Sequence, residues 1–103
     1  MDQKYFYVAV RRDLPMPQQL CQAVHAAHEA GIRYGDPSRI SSVVILSVPD
    51  EPELRKLKHR LDLRGIQSYM FEEDDIGDQA TALATEPVNG KARNVLSSYP
   101  LWR

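Results

Sequence analysis

Val8 to Ala30, VAVRRDLPMPQQLCQAVHAAHEA, decides how this chain is built. It begins as an apolar strand-like run, stops at the charged Arg11-Arg12-Asp13, and turns through Pro15 and Pro17. Each proline lacks an amide proton and pushes the residue before it toward extended geometry, so a helix is expected only from Gln18 onward. From there Leu20, Val24, Ala27 and Gly31 recur at helical spacing, widened by Ala23 and Ala30, and read as the buried stripe. Open α/β sheets hold ligands beyond the carboxyl ends of their strands, where such strand-to-helix corners lie. The polar side chains here are therefore the first candidates for chemistry.

Upstream, Tyr5 to Val10 is aromatic and β-branched without Gly or Pro, and gives the first strand. Downstream, Ser42 to Val48 (SVVILSV) is a nearly continuous apolar run that suits a central strand covered on both faces. Asp50-Glu51-Pro52-Glu53 is a helix start, with Asp50 as cap, Glu53 placed for a capping box and Pro52 in the tolerated first turn. Leu54, Leu57 and Leu61 form the buried stripe of that second helix, and Gly65 ends it. Ile66 to Phe71 reads as a third strand, the acidic run Glu72 to Asp75 as a turn, and Ala80 to Thr85 as a fourth strand. Asn89-Gly90 leads into a short helix near Lys91 to Ser97, and Tyr99 to Trp102 packs the tail down. This order predicts a three-layer α/β/α sandwich on a four-stranded mixed sheet. The first two crossovers join parallel strands and a hairpin closes the sheet.

The 103 residues fit one domain, 1–103, with no room for a separate cofactor domain. A formal net charge of −1 argues against a protein that coats nucleic acid non-specifically, and leaves room for a local basic face. The lone Cys21 excludes an internal disulfide and fits a reducing compartment. No apolar run approaches the roughly 20 residues of a membrane span, and Met1 to Lys4 carries no signal-peptide pattern. The expectation is a cytoplasmic protein with no membrane contact.

On the first helix Gln18, Cys21, Gln22 and His25 can share one side, being three or four residues apart. Histidine titrates near neutral pH and can act as base or acid; a helix histidine can equally be a partly buried hydrogen-bonded residue. Cys21, His25 and His28 have helical ligand spacing but lack a fourth partner, so no metal is expected. Cys21 reads as a structural thiol. The carboxylates Glu72, Glu73, Asp74 and Asp75 sit where a strand ends, the position of a catalytic carboxylate or of a solvated loop. Arg55, Lys56, Lys58, His59, Arg60 and Arg64 on the second helix suit either a phosphate backbone or water. There is no Gly-rich phosphate loop and no nucleophile-elbow serine.

Together, Val10-Arg11-Arg12-Asp13-Leu14, Met16 and Gln22-Ala23-Val24-His25-Ala26-Ala27 resemble the signature of the type 2 peptidyl-tRNA hydrolases. In that family a strand ends in Arg-x-Asp-Leu and the helix carries Gln-x-x-His-Ala. Val48-Pro49-Asp50-Glu51, Thr81 to Pro87 and the closing Tyr99 to Trp102 continue the likeness over nearly the whole chain. The resemblance implies an α/β/α sandwich, hydrolysis of the ester between a peptide and the 3′ end of tRNA, no cofactor and no metal. It also implies tRNA and a homodimeric partner, not DNA.

The candidate catalytic residues are then His25 as base or proton shuttle, Asp13 orienting it or its water, Gln22 positioning substrate or donating to the oxyanion, and Asp74 or Glu73 as the carboxylate across the cleft. Arg11, Gln18 and Thr81 are the candidate substrate-binding residues, Arg11 toward phosphate. The segment Pro15 to Gln19 departs from the family pattern in having no lysine, and the loop after the third strand is shorter. A catalytically inactive tRNA- or protein-binding module, or a small-molecule acyl hydrolase, are the rival expectations. Lys91 or Arg93 is a candidate replacement for the missing cation.

Overall fold

The structure, a computed structural model, describes residues 3–73 and 77–103. Strands β1 (Tyr5–Arg11), β2 (Ser42–Val48), β3 (Ser68–Glu73) and β4 (Gln79–Thr85) form one mixed sheet in the order β2-β1-β4-β3. β1 runs parallel to β2 from Tyr5 opposite Ser42 to Arg11 opposite Val48. β4 is antiparallel to both β1 and β3. The helices α1 (Met16–Tyr34) and α2 (Glu51–Leu63) occupy opposite faces, which completes the three-layer sandwich. A short 3-10 turn at Gly90–Arg93 and α3 (Asn94–Ser97) close the α2 side. Among the described residues no helix is long and apolar enough to cross a membrane.

The pleat of β1 sorts the two cores. Tyr7 and Ala9 face α2 and join Leu46, Val48, Leu54, Leu57, Leu61 and Leu83. Val8 and Val10 face α1 and join Ala23, Ala26, Ala30, Ala82 and Ala84. One layer is thus filled with leucine and the other largely with alanine. Alanine keeps no side-chain bulk between helix and sheet, so α1 can lie close to β4, whose Ala80 to Thr85 are all buried. That packing explains how a run rich in a poor strand former makes an interior strand: burial between two helices outweighs propensity.

α2 follows its sequence closely. Asp50 accepts from the Glu53 amide at 3.1 Å, and Gly65 takes φ +71 just past the end. Two other expectations are corrected. α1 starts at Met16 with Pro17 in its first turn, where a missing amide costs nothing because first-turn amides have no helical acceptor. β2 is an edge strand, not a central one. Its outer edge is met by the tail: Ser47 N–H donates to Pro100 O (2.9 Å) and Trp102 N–H to Ile45 O (2.8 Å). α1 lies over β1, β4 and β3 and leaves the β2 flank uncovered, so Val43 and Ile45 are exposed. β3 begins two residues later than Ile66, because the Ile66 amide is still bonded to Leu61 O at the α2 end and Gln67 exchanges hydrogen bonds with Glu86.

The α1 stripe is the largest correction. Leu20 and Val24, read as buried, are 52% and 68% exposed; the inward residues are Gln19, Gln22, Ala23, Ala26 and Ala30. Alanines of α1 pack on Val8, Val10, Ala82 and Ala84, while Gln19 and Gln22 are held inside by their hydrogen bonds, so the bulkier apolar positions turn outward.

Candidate active site

β1, β2 and β3 end, and β4 begins, at the same edge of the sheet, next to the first turns of α1 and α2. The chain therefore delivers Arg11, Asp13, Gln22, Glu51, Glu73, Gln79 and Thr81 to one place.

Arg11 is the last residue of β1 and only 7% exposed. Its Nε and Nη2 donate to the two Asp13 oxygens at 2.9 and 2.8 Å, a bidentate fork. Nη1 donates to Gln79 Oε1 at 2.9 Å and to Ala80 O at 3.1 Å. Those hydrogen bonds take up most of the guanidinium donors in this structure. A buried guanidinium is stable only when its donors are taken up, and here it ties the strand end to the start of β4. The bond from Arg11 holds the Asp13 carboxyl below its ordinary value, and the same bond raises Arg11. Glu51, on α2, accepts from the Ala80 amide at 2.7 Å, which lowers it, and from Arg55 at 3.1 Å.

A second network lies on the α1 face. Gln22 is buried; its Oε1 accepts from the Thr81 hydroxyl at 3.2 Å and its Nε2 donates to Glu73 Oε2 at 3.1 Å. The Thr81 hydroxyl also lies 3.3 Å from Phe71 O. Three residues separated by up to 59 positions form one chain of hydrogen bonds across α1, β4 and β3. A sheared register between Phe71 and Glu72 turns the strand end so that Glu73 meets α1 while Glu72 lies 3.6 Å from Arg55 of α2. Of the acidic run, Glu73 is the member brought to this network. Asp74 lies outside the described residues.

His25 sits one turn beyond Gln22, exposed, with its ring parallel to Phe71 at 4° and 4.8 Å between centroids. The expected pairing with Asp13 is not what is seen: both Asp13 oxygens are on Arg11, and an aromatic stack sets the imidazole plane instead. Gln18 is exposed on the first turn of α1. Thr81 is wholly buried, so it reaches a substrate only through Gln22. Arg93 is at the other end of β1, donating to the Tyr7 hydroxyl at 2.8 Å with its guanidinium 4.0 Å above the Tyr5 ring, and does not replace the absent lysine.

Gln19 went unnoticed in the sequence. It is buried, donates to Arg12 O (3.2 Å) and Leu14 O (2.7 Å), and accepts from the Trp102 indole at 2.8 Å. Its phase with Ala23, Ala26 and Ala30 was the available signal. It fastens the corner between β1 and α1 to the tail. Among the described residues no three His, Cys, Asp or Glu side chains form a metal-ion cluster.

No protein-family model matches the chain, and no curated protein is similar to it. Among solved structures it is similar to a protein of unknown function, Atu0240, from Agrobacterium tumefaciens str. C58. The TM-score is 0.78 at 16% identity, and the match covers 100% of both chains. At that identity the likeness concerns the fold alone.

Proposed function

We propose that this end of the sheet is a hydrolytic site for an acyl ester, with peptidyl-tRNA, the substrate of the family the sequence resembles, as the first substrate. The observation that carries this reading is the Thr81–Gln22–Glu73 chain beside His25. Ester hydrolysis needs a base for the attacking water, a donor for the tetrahedral oxyanion and a proton for the departing ribose oxygen. Gln22 holds one Glu73 oxygen and leaves the other to take a proton from water. In this reading the second Nε2 hydrogen of Gln22 is the donor to the oxyanion. Water oxygen bonds to the carbonyl carbon as Glu73 takes its proton, the carbon–ribose oxygen bond breaks, and His25 gives a proton of its own to the leaving oxygen; solvent then carries the Glu73 proton back to His25, which resets both groups. Arg11 and Asp13 keep the corner rigid. A cytoplasmic setting, where translation takes place, belongs to this reading.

A second reading, a small-molecule acyl hydrolase, is favoured by the charge at the site. Asp13, Asp50, Glu51, Glu72 and Glu73 gather here against Arg11, Arg12 and Arg55, an excess of negative charge. On α2, Lys56 pairs with Glu53, Lys58 with Asp62, and Arg60 with the Tyr99 hydroxyl. A polyanion meets repulsion at such a rim, and an uncharged ester does not.

The test is turnover by substoichiometric protein of N-blocked aminoacyl-tRNA and, separately, of p-nitrophenyl acyl esters. Glu73→Gln is expected to reduce the rate by roughly 10²-fold or more. Ester turnover that tRNA does not compete would select the second reading. Bound tRNA with no turnover would leave a binding module.

A further inference from the structure

We infer that the groove between the C-terminal half of α1 and the flank of β2 binds a small amphiphilic carboxylate, its apolar body along the helix and its carboxylate beside Lys4 and Arg39. The groove has a volume of about 480 Å³ and a mainly apolar lining. β1 contributes Phe6, β2 Val43, and α1 Ala27, Gly31 and Ile32, with Ile40 from the loop that follows the helix. Ile32, Val43 and Ile40 are 69%, 56% and 98% exposed, so a ligand here covers side chains that otherwise meet water. Small-molecule sites are concave, mainly apolar and roughly 300–1,000 Å³ in volume, with a few polar groups fixing orientation. Gly31 is the residue that keeps this one open. Glycine inside a helix is unfavourable because it surrenders more backbone freedom than any other residue. A Cβ at Gly31 would meet no atom within 4 Å, so packing within the chain does not call for glycine there. The groove lies where β1 and β2 begin, at the opposite end of the sheet from Arg11.

Charge identifies the head group. A smaller, polar cavity of about 180 Å³ adjoins the groove, sharing Asp36, Arg39, Ile40 and Ser41 with it and adding Lys4 and Glu86. Both carboxylates are engaged within the fold. Asp36 accepts from the Ser38 amide at 2.9 Å and from its hydroxyl at 2.7 Å, and Glu86 accepts from the Gln67 amide at 2.7 Å. Lys4 makes no ion pair among the described residues, and its charge reaches Asp36 without contact. An incoming anion therefore finds an ammonium to neutralise it, whereas an incoming cation finds carboxylates already taken up. A small polar space beside a larger apolar groove suits a compact anionic head on an extended hydrocarbon body. A carboxylate on an alkyl or aryl body has that shape.

The experiment is an amide NMR titration of the full chain with sodium decanoate, kept below its micelle concentration, beside decanol and decylammonium. Decanoate should shift the Phe6, Ala27, Gly31 and Val43 amides saturably, and more than the Arg11 and Gln22 amides at the far end of the sheet. Decanol and decylammonium should bind more weakly. Lys4→Ala should weaken decanoate by roughly 2- to 5-fold, the worth of one exposed ion pair, and leave decanol unchanged. Gly31→Leu fills the groove, so it should weaken decanoate by roughly 10-fold or more while raising the urea midpoint, because leucine is the better helix former. No saturable shift, shifts centred elsewhere, equal binding of decanol or decylammonium, or unchanged decanoate affinity in Gly31→Leu overturns the inference. The readout is binding at the other end of the sheet, so it is independent of whether the ester is hydrolysed.

Discussion

The two helical layers of this small sandwich are built by opposite rules. α2 puts Leu54, Leu57 and Leu61 inward, fully buried, and Arg55, Lys56 and Arg60 outward. α1 puts alanine and glutamine inward and its larger aliphatic residues outward. The α2 layer is where apolar volume holds the fold together. The α1 layer is thin, carries the buried polar chain through Gln22, and leaves Leu20, Val24 and Ile32 exposed. The bulk of the apolar core and the proposed site thus lie on opposite faces of one sheet.

Substitutions of matched size on the two sides sharpen that contrast. Leu57→Ala, in the leucine layer, should cost about 2–5 kcal/mol by urea denaturation, because the cavity cannot collapse between fixed strands. A loss under about 1 kcal/mol would mean that this layer is not the main source of stability. Ala26→Leu should cost about 1–3 kcal/mol, since the thin layer has no volume for the added methyl groups. If it stabilised the protein, the close approach of α1 to β4 would be wrong.

The smallest effect concerns the corner between the layers. The Asp13 carboxyl is lowered in the folded protein by its bond from Arg11. Its contribution is therefore complete above the ordinary aspartate value near 3.9 and is lost as pH falls through the lower folded value. The Asp13 side chain is 41% exposed, so water screens the pair and the effect is modest. The loss of stability between pH 5 and pH 2.5 should be smaller in Asp13→Asn than in the wild type. An equal loss in both would remove the pair from the acid response.

How far these features were readable from the sequence follows the same division. α2 was legible because its signals are local: an Asp50 cap, a leucine at each turn and Gly65 at the end all act within a few residues. The α1 stripe differs from the sequence reading because the rule that the most apolar face is the buried one fails where buried glutamines are held by long-range hydrogen bonds, as Gln19 and Gln22 are. β2 was misread for a related reason, since its apolar run includes Val43 and Ile45 on a flank that α1 does not reach. At the site, Gln22, Glu73 and Thr81 could each be named from motif and strand end. Their joining could not, because it depends on how β3 shifts register beside β4. Asp13 was assigned to His25 because both lie in one motif, and the nearer buried guanidinium took it instead.

The most direct test of the site is multiple-turnover release of free tRNA from N-blocked aminoacyl-tRNA, measured for the wild type beside His25→Ala. His25 is exposed and stacks on Phe71, so removing it should leave the fold intact. Turnover in the wild type with a loss of roughly 10²-fold or more in the variant is the predicted result. Equal turnover in both proteins, or none in either on any acyl ester, would contradict a hydrolytic site at this end of the sheet.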